Sequence, residues 1–131
     1  MLEGLLKRAF ATEPTLEAES AGTSEEPDGQ PAHEHSIACM DERGIDIRSH
    51  RSRRVRRIDL TQFDLIVCAE PPQVEVVRSL CPTANVILGN GPEGISNPWE
   101  KGPDAYRSCA ETMEKVTAEV VARLTELNRQ R

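Results

Sequence analysis

The sequence predicts an α/β fold, a three-layer sandwich in which a parallel sheet is covered by helices on both faces. Three observations carry this prediction. The apolar segments read in the order helix, strand, helix, strand, helix, strand, helix, an alternation that favours parallel strands with crossover helices. The run Leu65-Ile66-Val67-Cys68 is apolar on both sides, as a strand buried from above and below must be. The last segment, from Asp104 to about Asn128, repeats its apolar residues near the helical period of about 3.6 residues.

Each element follows from local pattern. Leu2, Leu5, Leu6 and Phe10 share one face of an opening helix, with no capping residue ahead of it except Met1. Thr15 to Ser20 alternates weakly and ends in the turn Ser20-Ala21-Gly22-Thr23, which predicts a strand. Ser24 to Gln30 is acidic, with Pro27 and Gly29, and reads as a loop. Pro31 to Arg43 is expected as a helix, with Pro31 in its first turn and Gly44 just past its end. Ile45 to Ser49 is short and extended, and an arginine-rich stretch follows it at 48, 51, 53, 54, 56 and 57. Phe63 to Ala69 is a strand. Val74 to Leu80 is a helix entered through Pro71-Pro72. Val86 to Leu88 is a second buried strand, leading into the Gly/Pro-rich loop Gly89 to Pro98. The final helix should bury Tyr106, Cys109, Ala110, Met113, Val116, Val120, Val121 and Leu124.

With 131 residues the chain suits one domain, 1–131, around a single core. Aromatics are only 3% of the chain, so Leu, Ile, Val and Ala must build that core. A formal charge of −6 speaks against a general nucleic-acid binder. No apolar run approaches the roughly 20 residues of a membrane helix. Glu3, Lys7 and Arg8 interrupt the one apolar stretch that could serve as a signal peptide, so a cytoplasmic location is expected. Cys39, Cys68, Cys81 and Cys109 form no C-x-x-C pair, and His33, His35 and His50 have no cysteine at zinc-site spacing. Reduced, buried, structural cysteines are expected. The arginine stretch reads as a solvated loop whose stems cover the strand beneath, with phosphate, an acidic peptide or RNA as alternative partners.

The order of short motifs resembles the low-molecular-weight protein tyrosine phosphatase family, related to thiol-dependent arsenate reductases. Met1-Leu2-Glu3-Gly4-Leu5-Leu6 is similar to the helix that follows that family's phosphate loop. Ser20-Ala21-Gly22-Thr23 matches its S-A-G-T. The stretch from Arg43 to Arg53 resembles G-I-D-x-S-x-H-x-S/A-R, with one residue placed differently after Ile47. Asp64-Leu65-Ile66-Val67 fits its buried strand. Asn97-Pro98-Trp99 stands where the family has Asp-Pro-aromatic.

The resemblance implies a parallel sheet of order 2-1-3-4 and metal-free, cofactor-free hydrolysis of a phosphomonoester such as phosphotyrosine. Some relatives act on phosphoarginine or arsenate. In such enzymes a C-x5-R-S/T loop cradles the phosphate dianion with backbone N–H groups, aided by the following helix. Those groups lower the cysteine pKa, and the thiolate attacks phosphorus to give a cysteinyl-phosphate. A separate acid protonates the leaving group. The residues six places after the four cysteines are Ile45, Val74, Ile87 and Lys115. The loop is therefore absent from these 131 residues, and the sheet is expected without its first, central strand.

At the acid position Asn97 has no proton to deliver, with Pro98 and Trp99 expected beside the substrate. Ser20 and His50 are implied as loop supports, and Arg53 as the most structural arginine of its cluster. Read without the family, Asn97-Pro98 is a turn, Ser20 is turn chemistry, His50 is a loop histidine and Trp99 is a core anchor. Three functions compete. An incomplete phosphatase, inactive as written, would arise from a start assigned too late. A non-catalytic phosphatase-like binding or regulatory module fits Asn97. The third is an unrelated flavodoxin-like interaction domain.

Overall fold

The computed structural model describes residues 1–13, 15–24 and 27–130, so part of the loop expected at 24–30 lies outside the described residues. Helix α1 (Leu2–Ala9) comes first. Helix α2 (Glu34–Asp41), strand β1 (Ile66–Cys68), helix α3 (Pro71–Leu80), strand β2 (Val86–Leu88) and helix α4 (Pro103–Arg129) follow. Two single turns of 3-10 helix, Val55–Arg57 and Leu60–Gln62, lead into β1.

The strands β1 and β2 pair in parallel, in the register Ile66 with Val86, Val67 with Ile87 and Cys68 with Leu88. Side chains alternate across this sheet. Leu65, Val67 and Ala69 pack on one face with Leu6 of α1, with Phe10 just past that helix, and with Val116 and Val120 of α4. Ile66 and Cys68 face the other way, onto Val74 and Val77 of α3 and onto Val55 and Leu60 of the 3-10 turns. Helices therefore lie on both faces, as the doubly apolar run predicts. A third cluster, with Leu5, Cys39, Met40, Ile47 and Ala110, joins α1 and α2 to α4. Leu5, Met40 and Val116 are fully enclosed, each worth roughly 1.5–3 kcal/mol of burial.

Local chemistry sets the helix ends. Pro71 and Pro72 occupy the first turn of α3, where no N–H donor is needed, so the helix starts earlier than the expected Val74. Gln73 Oε1 accepts the N–H groups of Ala69 and Glu70 at 2.9 and 3.1 Å. Helix α2 begins later than expected. Pro31 sits in an isolated bridge to Arg51 instead of a first turn, and the His33 imidazole caps the helix. At its far end Gly44, with φ +73°, closes a Schellman turn: Gly44 N–H bonds Asp41 O and Ile45 N–H bonds Met40 O.

The strand expected at 15–20 needs correction. Leu16, Ala18 and Ser20 are half-buried while Thr15, Glu17 and Glu19 are exposed, so the alternation is real. No ladder forms, however, and among the described residues the sheet has two strands. The physical reason is spacing. Residues 17–21 and 65–68 line a shared cavity of about 210 Å³ that stands between them, and the two segments form no ladder with each other. The segment is instead fixed beyond its end, where Gly22 bridges Arg54: Gly22 N–H donates to Arg53 O, and Val55 N–H to Gly22 O, both at 2.8 Å.

Candidate active site

Ser20 ends the extended segment, and its hydroxyl donates to Glu3 Oε1 at 2.8 Å. Glu3 lies in the first turn of α1, where a carboxylate suits the positive end of the helix dipole. Its other oxygen sits 3.3 Å from Lys7 Nζ, one turn along, and 3.7 Å from His50 Nδ1. Burial pushes the Glu3 carboxyl up, but the Ser20 hydroxyl, the Lys7 ammonium and His50 together outweigh it and leave it below the ordinary range. The side chain of Glu3 is only 18% exposed, so these partners are what make its charge tolerable there. Ser20 is thus tied to α1 and is not spent on its own turn. Arg53 adds a bond from its guanidinium to Ser20 O at 3.1 Å, in line with its expected structural part.

This group stands at the edge of the cavity. Leu2 and Leu6 of α1, Ala18 and Val67 give apolar walls, and Glu3 and Ser20 are polar groups in the lining. The cavity thus lies between helix α1, the extended segment and β1, along the length of the strand.

Asn97, Pro98 and Trp99 form a second group. The loop that carries them is anchored by Ile95, which is buried and donates its N–H to Ala69 O at 2.7 Å at the end of β1. Asn97 is exposed, and its Oδ1 accepts the Trp99 N–H at 3.0 Å, an Asx turn that uses the amide structurally. Trp99 is 55% exposed, which overturns the core-anchor reading. Its ring meets His33 edge-on at 5.2 Å. His33 in turn stacks on Tyr106 at 5.4 Å, and Tyr106 is buried in the first turns of α4. No hydrogen bond or ring contact joins this group to Glu3, Ser20 and His50 among the described residues.

All four cysteines are free and buried. Burial pushes the thiols of Cys68 and Cys109 up, only partly opposed by Arg78 and by the N-terminal ammonium respectively. These are not thiolate-favouring sites. Several head groups of the arginine stretch are engaged locally. Arg48 pairs with Asp41 and Asp46, Arg57 with Asp28, and Arg51 donates to the carbonyls of Arg48 and His50. Local carboxylates hold Arg48 and Arg57 and backbone carbonyls hold Arg51, so much of the cluster's charge is spent within the fold. Among the described residues no group of three or more His, Cys, Asp or Glu side chains could hold a metal ion, and no helix is long and apolar enough to cross a membrane.

Two residues of these groups are not singled out by the sequence. Glu3 stands there only within a motif and as an interruption of an apolar stretch. Its signal is a carboxylate on the inward side of a first turn, with Lys7 one turn later. His33 enters the sequence reading only as a histidine with no cysteine at zinc-site spacing, and its capping position before Glu34 is the clue to its part in the fold.

Comparison with known proteins gives one consistent answer. The profile described as low molecular weight phosphotyrosine protein phosphatase matches residues 1–131. A low molecular weight protein-tyrosine-phosphatase of Streptomyces coelicolor is 25% identical over 123 residues, covering 85% of this chain and 74% of that protein. Among solved structures, Vibrio vulnificus Wzb in complex with benzylphosphonate superimposes with a TM-score of 0.82 at 21% identity, covering 93% of this chain and 87% of the other. The YwlE arginine phosphatase of Geobacillus stearothermophilus gives 0.84 at 18% identity, covering 98% and 86%. At such identities these structures establish the shared fold, and the profile establishes descent. With helices on both faces of a parallel sheet and a family match from first residue to last, this chain belongs to the low molecular weight phosphotyrosine protein phosphatase family.

Proposed function

We propose that this chain is built for phosphomonoester hydrolysis of its family's kind, and that residues 1–131 alone do not perform it. The observation that carries the second half is the state of the cysteines. All four are buried, and none is followed six places later by arginine. A buried thiol is withheld from a solvent-borne dianion, and for Cys68 and Cys109 burial also raises the pKa. The first half rests on the family and on the Glu3, Ser20 and His50 group, which we read as the support for a phosphate-binding loop at the cavity edge. Pro98 and Trp99 would flank the substrate, and an exposed indole suits an aromatic phosphate. The V. vulnificus relative was solved with benzylphosphonate, an aromatic phosphonate, which favours the same class. The G. stearothermophilus relative is an arginine phosphatase, which keeps phosphoarginine in consideration. The reading requires no metal and no cofactor, and its partners are phosphorylated proteins or small phosphomonoesters in the cytoplasm.

The test is turnover of p-nitrophenyl phosphate. Residues 1–131 should give no activity above background. A version extended at its N-terminus by a strand and a C-x5-R-S loop should give measurable activity. Turnover by residues 1–131 that disappears when one of the four cysteines becomes serine would overturn the proposal.

A second reading, a non-catalytic phosphatase-like module, is favoured by one observation. Asn97 is an amide occupied in an Asx turn where the family resemblance implies an acid. In the extended version Asn97→Asp should raise the rate, since a positioned general acid is worth roughly 10²–10⁴. An extended version that binds a phosphonate but stays inert even with Asn97→Asp would favour the binding module.

A further inference from the structure

His33 sits at the N-cap of α2 with extended backbone, φ −63° and ψ 145°, and its Nδ1 accepts the His35 N–H at 3.1 Å. An imidazole nitrogen that accepts a hydrogen bond carries no proton, so the ring is the neutral tautomer with hydrogen on Nε2. The same ring lies flat on Tyr106, 11° from parallel, and receives the edge of Trp99. It is the one ring in contact with Trp99 among the described residues. A single titratable ring thus holds both the start of a helix and an exposed indole.

Protonation changes every one of these contacts. Nδ1 turns from acceptor to donor and faces the His35 N–H donor to donor. The new positive charge lies at the positive end of the α2 dipole. It also lies 5.1 Å, ring centre to ring centre, from His35. Attraction of the cation to the Tyr106 and Trp99 rings opposes these effects. That attraction does not restore the cap, because a ring that turns away from the His35 N–H also leaves its face-on position against Tyr106. The other charged groups nearby in the chain are Glu34 on α2, Asp104 on α4, and Glu100 and Lys101 beside Trp99. All four are exposed, and Asp104 is engaged by Arg107.

We propose that His33 is a pH-sensitive latch, which when neutral caps α2 and seats Trp99 and when protonated releases both. The latch does not depend on the phosphatase reading, because its readout is the fluorescence of the sole tryptophan and needs no turnover.

The experiment follows Trp99 emission and acrylamide quenching from pH 8 to pH 5, with far-UV circular dichroism alongside, for the parent, His33→Asn and His35→Gln. Asparagine caps helices well and does not titrate in this range. The parent should show one emission step with a rise in quenching at low pH. His33→Asn should lose the step while keeping the helical signal, and His35→Gln should keep it. A step that survives in His33→Asn overturns the latch. Should that variant fail to fold, the His33 ring protons can be followed by NMR in the parent. They should titrate in concert with the Trp99 indole signal, and titration of His33 with no change at Trp99 also overturns the proposal.

Discussion

The Ser20 hydroxyl donates to Glu3 Oε1 at 2.8 Å and so fixes the end of an extended segment to the first turn of α1. Ser20→Ala removes this donor and leaves a poorly solvated carboxylate with fewer partners. A loss of about 1–2 kcal/mol of stability is expected. Urea denaturation of the variant checks it, and a change within error would mean that the bond is not made in solution.

Acidification should weaken the same contact. The Glu3 carboxyl is held below its ordinary value of roughly 4.3. A depressed acid contributes stability above its unfolded pKa, and that contribution fades as pH falls through the folded value. The stability of the parent should therefore drop below about pH 4.3 more steeply than that of Glu3→Gln, which lacks the titrating group. Thermal melts between pH 6 and pH 3 compare the two, and parallel curves would refute the assignment.

Gly94 has φ +79°, and a Cβ there would stand 2.6 Å from Ala69 O. Gly94→Ala meets both a left-handed backbone, costing roughly 1–2 kcal/mol, and a clash with backbone that cannot move without shifting the end of β1. Gly29, with φ +83°, has nothing within 4 Å. Gly29→Ala should show the conformational cost alone, so Gly94→Ala must be clearly the worse of the two in chemical denaturation.

The Leu5 side chain is enclosed between α1, α2 and α4. Leu5→Ala should cost about 2–5 kcal/mol by lost transfer energy and the cavity left behind. A midpoint shift in urea with an unchanged slope would show the loss to be one of stability.

Thiol reactivity offers an independent check on the cysteines. Ellman's reagent should label the native chain slowly at neutral pH and label all four thiols quickly in denaturant, because each is buried when folded. One fast cysteine in the native state would contradict both the burial and the proposed inactivity of residues 1–131.

Much of the fold is legible in the sequence because its signals are local. The two-sided apolar run 65–68 and the period of the last helix depend only on neighbours in sequence; the helix lies where expected, while the strand expected over 63–69 is confined to Ile66–Cys68. Gly44 is readable as a helix stop for the same reason, since φ +73° is a demand that glycine meets at little cost. The prolines depart from expectation in opposite directions. Pro71 and Pro72 lie inside their helix, whereas Pro31 lies outside its own, because a capping side chain two residues further on decides the matter.

The site is legible only in part. Motifs point to Ser20 and His50, yet nothing in their spacing shows that both converge on Glu3. Asn97 and Trp99 belong to one motif, but the imidazole that receives Trp99 comes from another helix.

The sequence alone determined the helices, the apolar strands, the missing C-x5-R pattern and the amide at position 97. Each of these is a property of residue type and local order. Only the tertiary structure decided whether the alternating segment 15–20 becomes a strand. A strand exists through the hydrogen bonds of a neighbour, and across the cavity it shares with β1 this segment has none.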